Sequence, residues 1–351
     1  MIEVLVHKRI FEKKDGRLLY LYGLKPHTLP PLEEGENTGQ AQSHARWHPL
    51  RQEWVVFAAS RQGRTFLPPR EYDPLAPSKP GGFPTEIPFE DFEIAVFQNR
   101  WPSLSPNAGE VPRDLATPVR DAHGDCEVIV FTPEHSGSIA TLSQERRELL
   151  VRVWADRYRD LYARENIQYV MPFENRGEPI GVTLHHPHGQ IYAYPWIPPI
   201  LQKELDAFQK SPVLLNLLPQ LSPYTVLEDA HTMACIPPYA RYPYEVLVFS
   251  KQFRPGPWAF SRAETRSFAE MLGQVVQKLD HLFGKPMPYV MALHAAPKGA
   301  EEVFHFHVEF YPALRTADKL KYLAGTEIAA GTFAMDALPE ETAKTLREVS
   351  I

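Results

Sequence analysis

His186-Pro187-His188-Gly189-Gln190 is answered 119 positions later by His305-Phe306-His307-Val308-Glu309. Tyr169-Val170-Met171 returns as Tyr289-Val290-Met291 after 120 positions, and the strand-like run Cys126 to Phe131 returns as Tyr244 to Phe249 after 118. Between them, candidate helices open at Ser143 and Ser261, again 118 apart. Four elements in one order at a nearly constant offset mark a duplicated supersecondary unit. The unit reads strand, helix, strand, strand, because the repeated runs are β-branched and apolar while the segments between them repeat at helical spacing. In the first helix, roughly 143–165, Leu150, Trp154, Tyr158 and Leu161 share a face. Ser261 and Glu264 form a capping-box pattern, Phe268, Leu272, Val275, Leu279 and Leu282 continue the helix, and Gly284 with Pro286 closes it. The expected fold is α/β of the α+β type, two halves of antiparallel sheet with packed helices. The boundary falls near residue 200, giving 1–200 and 201–351.

Composition narrows the function. Thirty-five prolines in 351 residues predict many loops, and 26–42 and 102–119 read as such. A net charge of −6 disfavours a nucleic-acid partner but permits a small anion held by local arginines and lysines. Two cysteines, Cys126 and Cys235, are too few for a disulfide framework or a thiolate zinc site and read as buried thiols. With neither a signal-like N-terminus nor a spanning apolar run, a cytoplasmic protein without membrane contact is expected.

The stretch Gly181 to Tyr192 carries the chemistry. As an extended segment it places His186, His188 and Gln190 on one face. A neutral imidazole can attack phosphorus without prior deprotonation. Gln190 can donate a hydrogen bond to a phosphoryl oxygen but cannot act as an acid, which suits a leaving group that is already good. Gly189, lacking a Cβ, lets an anion approach the backbone. The competing reading, histidines that are core residues or metal ligands, fits this pattern less well.

With these residues in view, the chain resembles the galactose-1-phosphate uridylyltransferases, the transferase branch of the histidine-triad superfamily, from about His44 to Leu346. The resemblance implies two histidine-triad-like halves and a ping-pong reaction. His188 accepts UMP from UDP-glucose, and galactose 1-phosphate then collects it as UDP-galactose, with Gln190 assisting. It implies nucleotide or phosphate contacts from Arg61, Arg64, Asn99, Trp101, Asn175, Gly181, Val182, Thr183 and Gly189. Sugar-phosphate contacts fall to Lys321, Tyr322 and Glu327. A homodimer is implied, because in the family the sugar site borrows residues from the neighbouring subunit. No organic cofactor is expected.

Two metal expectations follow. Where many family members have a Cys-x-x-Cys pair, this chain reads Asp73 to Lys79 without a thiol; His135 and His186 are therefore expected as hydrogen-bonding framework rather than ligands of a structural zinc. Glu204, His294, His307 and Glu309 form the second candidate set, for one Fe or Zn ion, with His305 a substitute ligand on the same face. A related branch moves adenylyl groups between ADP-glucose and phosphate, so the base stays open. A nucleotide hydrolase and a non-catalytic nucleotide-sugar-binding protein are the remaining alternatives.

Overall fold

The computed structural model describes residues 6–30, 32, 43–63, 68–79 and 81–351. In its first half lie β1 (His7–Glu12), β2 (Leu18–Gly23), β3 (Ser43–His48), β4 (Glu53–Ala58), β5 (Ile94–Gln98), β6 (Val119–Asp121), β7 (Asp125–Val130), α1 (Gln144–Tyr162), β8 (Tyr169–Arg176) and β9 (His188–Tyr194). The second half contributes α2 (Pro199–Lys210), α3 (Val213–Leu217), β10 (Thr225–Glu228), β11 (Thr232–Cys235), β12 (Val246–Ser250), α4 (Arg262–Leu282), β13 (Tyr289–His294), β14 (His307–Pro312) and α5 (Pro339–Glu348).

Among the described residues, eleven strands form one sheet in the order β1-β2-β5-β7-β9-β8-β13-β14-β12-β11-β10. Its described pairings are antiparallel. The duplication is visible in that order: β7-β9-β8 is followed by β13-β14-β12, the same three strands reversed. The halves meet where β8 pairs with β13, Asn175 opposite Val290. A second, small sheet, β4-β3-β6, stands apart.

Side-chain alternation decides which face each helix covers. Ile129, Val170 and Ile191 from one copy and Val248, Met291 and Val308 from the other point to a common face, where α1 and α4 pack with Trp154, Tyr158, Phe268 and Leu272. Each helix starts as its sequence indicates. Ser143 Oγ accepts from Arg146 N at 3.3 Å; the Ser261–Glu264 box closes at 2.8 and 3.2 Å. The opposite face is divided. Leu75, Ile87, Phe89 and Phe92 cover Phe97, Val128 and Val130 on the N-terminal side, whereas α2 and α3 cover the C-terminal side. Both cysteines are buried and free, and burial pushes each thiol up to about 12.

One buried ion pair ties α1 to the sheet. Arg157 grips Glu127 of β7 with two bonds, Nε to Oε2 at 2.9 Å and NH2 to Oε1 at 2.6 Å, with both side chains at most 1% exposed. Arg157 also holds Asp160 Oδ2 at 2.6 Å, but Glu127 has no second ion-pair partner among the described residues. Removing Arg157 therefore leaves the Glu127 charge buried without a counter-ion, a loss of about 3–5 kcal/mol. Arg157→Ala is therefore expected to lower stability by about that amount in denaturant unfolding, while Arg159→Ala on the same helix changes it little. Equal effects would contradict the assignment.

Candidate active site

β9 begins at His188, and its burial alternates so that His188, Gln190 and Tyr192 face one side while Gly189, Ile191 and Ala193 face the helices. Strand register brings neighbours onto the polar side. Val130 lies opposite His188 and Val128 opposite Gln190 on β7, Phe97 opposite Val128 on β5, and Phe173 opposite Gln190 on β8. His188, Gln190, Val128, Phe97 and Phe173 floor a cleft of about 720 Å³, walled by Arg61, Asn99, Trp101, Asn175 and the segment Gly181 to Leu184, while Val130 is buried beneath the covering loop.

At the centre, His188 Nδ1 donates to the carbonyl of His186 at 2.7 Å. That bond places the ring proton on Nδ1 and leaves the Nε2 lone pair bare. Burial, with the His186 ring nearby, pulls the imidazole below its ordinary pKa even though the backbone bond acts the other way. A neutral ring is the result.

His186 departs from the sequence expectation. It precedes the strand, so it does not share a face with His188. Its ring is instead buried, Nδ1 lying 2.7 Å from Asp73 Oδ2 and Nε2 2.7 Å from the carbonyl of Thr132. His135 Nδ1 lies 2.7 Å from the same Asp73 oxygen. Burial alone would raise the Asp73 pKa, but the bonds from His186 and His135 outweigh it and hold the carboxyl below its usual range. Asp73 is thus a third member of a group that the sequence reading limited to two histidines. The three offer ligand atoms within 4.8 Å of one another, and among the described residues they number one fewer than the four protein ligands of a structural zinc.

Gly189 also departs from its expected role. A Cβ there would meet the Phe173 carbonyl at 2.8 Å and Phe131 Cζ at 3.0 Å. The glycine admits close strand packing on the helix-facing side, away from the cleft. Of the other expected residues, Arg61 leaves the turn after β4 and reaches Ser103 Oγ at 2.8 Å and Tyr192 OH at 3.0 Å. Arg64 lies outside the described residues. Asn99 forms a turn with Trp101 through Oδ1 at 2.9 Å. Gly181, at φ +80°, is in the left-handed region and starts the segment that delivers Val182 and Thr183 to the wall. Tyr192, Lys13, Arg17, Thr85 and Glu86 also line the cleft and were missed. Continuing the His188–Gln190 alternation by one step finds Tyr192; the other four come from distant segments and had no local signal.

Lys321, Tyr322 and Glu327 are not brought to this cleft. Lys321 Nζ bonds Glu327 Oε1 at 3.1 Å, and Tyr322 is 73% exposed.

The C-terminal copy repeats the ring geometry with different neighbours. His307 Nδ1 donates to the His305 carbonyl at 2.9 Å, leaving Nε2 3.6 Å from Glu204 Oε2. His294 Nδ1 lies 3.1 Å from Glu204 and 3.9 Å from Glu309 Oε2. Glu204, His294, His307 and Glu309 offer ligand atoms all within 4.8 Å of one another. The donor set suits a transition metal, and a carbonyl holding the remote nitrogen of His307 is the usual support for a ligating imidazole. His305 is not part of this group. It precedes β14, packs against Phe249 and Phe253, and is pushed by burial down to about 4.

Fold and cleft together define an α+β protein built on a duplicated antiparallel unit, with one histidine-bearing cleft in its N-terminal copy. The chain matches the models for the N-terminal domain of galactose-1-phosphate uridyl transferase over residues 33–198 and for its C-terminal domain over 218–351. It is 37% identical to the galactose-1-phosphate uridylyltransferase of Thermotoga maritima, covering 87% of this chain and 98% of that protein, and 33% identical to the one from Streptomyces lividans, covering 96% of each. A solved uridylyltransferase superposes with a TM-score of 0.77 at 28% identity, over 87% of this chain and 98% of that one. An ADP-glucose phosphorylase from Arabidopsis thaliana shares the fold, with a TM-score of 0.67 at 20% identity over 88% and 99%. The chain belongs to the galactose-1-phosphate uridylyltransferase family.

A bare, neutral Nε2 has a measurable consequence. Carbethoxylation of His188 by diethyl pyrocarbonate, followed by peptide mass mapping against pH, is expected to reach half its maximal rate below pH 6.5, because a lowered pKa keeps the reactive neutral form in more acidic solution. A midpoint above 6.5 contradicts the burial argument.

Proposed function

We propose that this chain transfers UMP from UDP-glucose to galactose 1-phosphate through a covalent uridylyl-histidine at His188. The observation that carries the reading is the His188 Nδ1 bond to the His186 carbonyl, which aims an unprotonated Nε2 into the cleft. In the first half-reaction Nε2 forms a bond to the α-phosphorus while the bond from that phosphorus to the bridging oxygen breaks, and glucose 1-phosphate departs with the electron pair. In the second, a phosphate oxygen of galactose 1-phosphate attacks the same phosphorus, the P–N bond breaks, and UDP-galactose leaves with Nε2 bare again. Gln190, next along the same face, donates to a non-bridging oxygen as charge builds there. Arg61, Asn99, Trp101, Asn175, Gly181, Val182 and Thr183 hold the nucleotide; Arg64 is assigned to the phosphate from its motif alone.

The same reading covers the remaining residues. Lys321, Tyr322 and Glu327 serve the sugar phosphate in the cleft of a second copy, which makes the working form a homodimer. That none of the three lines the cleft of its own chain supports this. Glu204, His294, His307 and Glu309 hold one Fe or Zn ion whose work is structural, stitching α2 to β13 and β14. Residues 1–200 form the nucleotidyl-transfer half and 201–351 the metal and sugar-loop half, in a cytoplasmic protein.

Incubation with UDP-glucose followed by intact-mass analysis is expected to show one uridylyl group added per chain. His188→Gly should abolish the adduct and turnover while UDP-glucose still binds; turnover by that variant would remove His188 as nucleophile. Metal analysis of the purified chain should find one transition-metal ion, lost together with thermal stability in His294→Ala. Two ions would assign a metal to Asp73, His135 and His186 as well.

A further inference from the structure

One end of the cleft is built by residues that lie ahead of position 33, where the family match begins. The β1–β2 hairpin carries Lys13 and Arg17 at its turn, and both line the cleft beside Thr85 and Glu86. Lys13 and Arg17 hold the same carboxylate oxygen, Glu86 Oε2, Arg17 at 2.8 Å. Arg17 is fixed further by Asp15 Oδ2 at 2.8 Å and the Gln98 carbonyl at 2.9 Å. Lys13 Nζ stands 5.2 Å from the centre of the Phe97 ring. The side chains of Lys13, Arg17 and Glu86 are only 11%, 16% and 14% exposed. Burying three charges carries a large desolvation penalty, and a plain cleft wall has no use for them.

Their place in the sheet says what they face. From β9 the strand order runs through β7 and β5 to β2, and the register sets Leu19 level with Gln190. The Arg17 backbone therefore lies about 14 Å across the sheet at roughly 4.8 Å per strand, and about 13 Å along it at roughly 3.3 Å per residue, from that of His188. Between the two ends, Val128 and Phe97 form the floor and Leu75 and Leu184 add apolar wall. A nucleotide with its phosphorus at His188 would direct its ribose and then its flat base along this floor towards Lys13 and Arg17, which line the same cleft.

We propose that Lys13, Glu86 and Arg17 read the edge of a uracil base, an inference that rests on the proposed nucleotidyl transfer at His188. Uracil presents an acceptor, a donor and an acceptor along O2, N3–H and O4. The wall presents the complement: an ammonium, an acceptor-only carboxylate and a guanidinium. Oε2 is taken by the two cations, and Oε1 is the oxygen assigned to N3–H. Lys13 retains further donors, and Arg17 has used three of its five. Adenine turns the N1 lone pair towards the carboxylate and the N6 donor towards a cation, so the same wall repels it. Burial acts to raise the Glu86 pKa, yet Lys13 and Arg17 outweigh it and keep the carboxylate ionised.

The test is calorimetric titration of the full chain with UMP, AMP and N3-methyl-UMP, which reads base recognition without turnover. The wild-type chain should bind UMP at least about tenfold more tightly than AMP, and N3-methylation should weaken UMP by a similar factor, the worth of one hydrogen bond to a charged group. Glu86→Ala should shrink both ratios towards one. Lys13→Met, which leaves Glu86 and Arg17 paired, should reduce the UMP:AMP ratio even if Glu86→Ala fails to fold. Equal wild-type affinity for UMP and AMP, indifference to N3-methylation, or ratios unchanged in Lys13→Met would overturn the proposal. Adduct formation on His188, measured in parallel, separates the two readings. An adduct without uracil preference sinks the base assignment alone; uracil preference without an adduct sinks the transfer reading alone.

Discussion

One hydrogen bond organises the N-terminal half: His188 Nδ1 to the His186 carbonyl. It can form only if that carbonyl is held still, and the structure holds it from three sides. Pro187 stiffens the backbone between the two residues. Asp73 and the Thr132 carbonyl take the two nitrogens of the His186 ring. Asp73 is itself gripped by His135 and its own Leu75 amide. The chain of bonds runs from a covering loop, through a buried histidine, to the tautomer of the ring in the cleft. His186 acts as a positioning residue for the proposed chemistry and touches no part of the cleft itself.

Duplication explains why the same local geometry appears twice with different consequences. His307 repeats the bond to a carbonyl two residues back. In that copy, however, α2 lies over the sheet and brings Glu204 against the ring, so the bare nitrogen meets a carboxylate instead of an open cleft. The paired glutamates of β7 and the segment before β12 diverge likewise. Glu127 is answered by Arg157, whereas Glu245 accepts from the amides of Arg241 and Tyr242 at 2.6 and 3.1 Å. The backbone plan is retained where hydrophobic alternation dictates it, and the polar partners change with whatever element covers the face.

That contrast marks what sequence could reveal. The repeated strands and helices were legible because periodicity and capping are local, and the His188–Gln190 face followed from the two-residue period of a strand. His186 lies off that face because a proline inside the motif delays the start of the strand until His188. An absent Cβ does not say on which side space is needed, and at Gly189 it is needed against Phe131 and the Phe173 carbonyl. Asp73, Lys13, Arg17 and Glu86 were invisible because each acts through a partner remote in sequence: 113 positions separate Asp73 from His186, and 69 separate Arg17 from Glu86. Loops that close over a sheet contribute chemistry without periodicity, and only the folded chain shows where they land.

The proposed chemistry depends on the tautomer of one ring, and nitrogen NMR reads it directly. In the free protein labelled with ¹⁵N-histidine, and with His188→Gln used to assign the signal, His188 is expected to show a protonated Nδ1 and a bare Nε2 at neutral pH. A proton on Nε2, or an imidazolium at pH 7, would contradict the claim that this nitrogen stands ready to bond phosphorus.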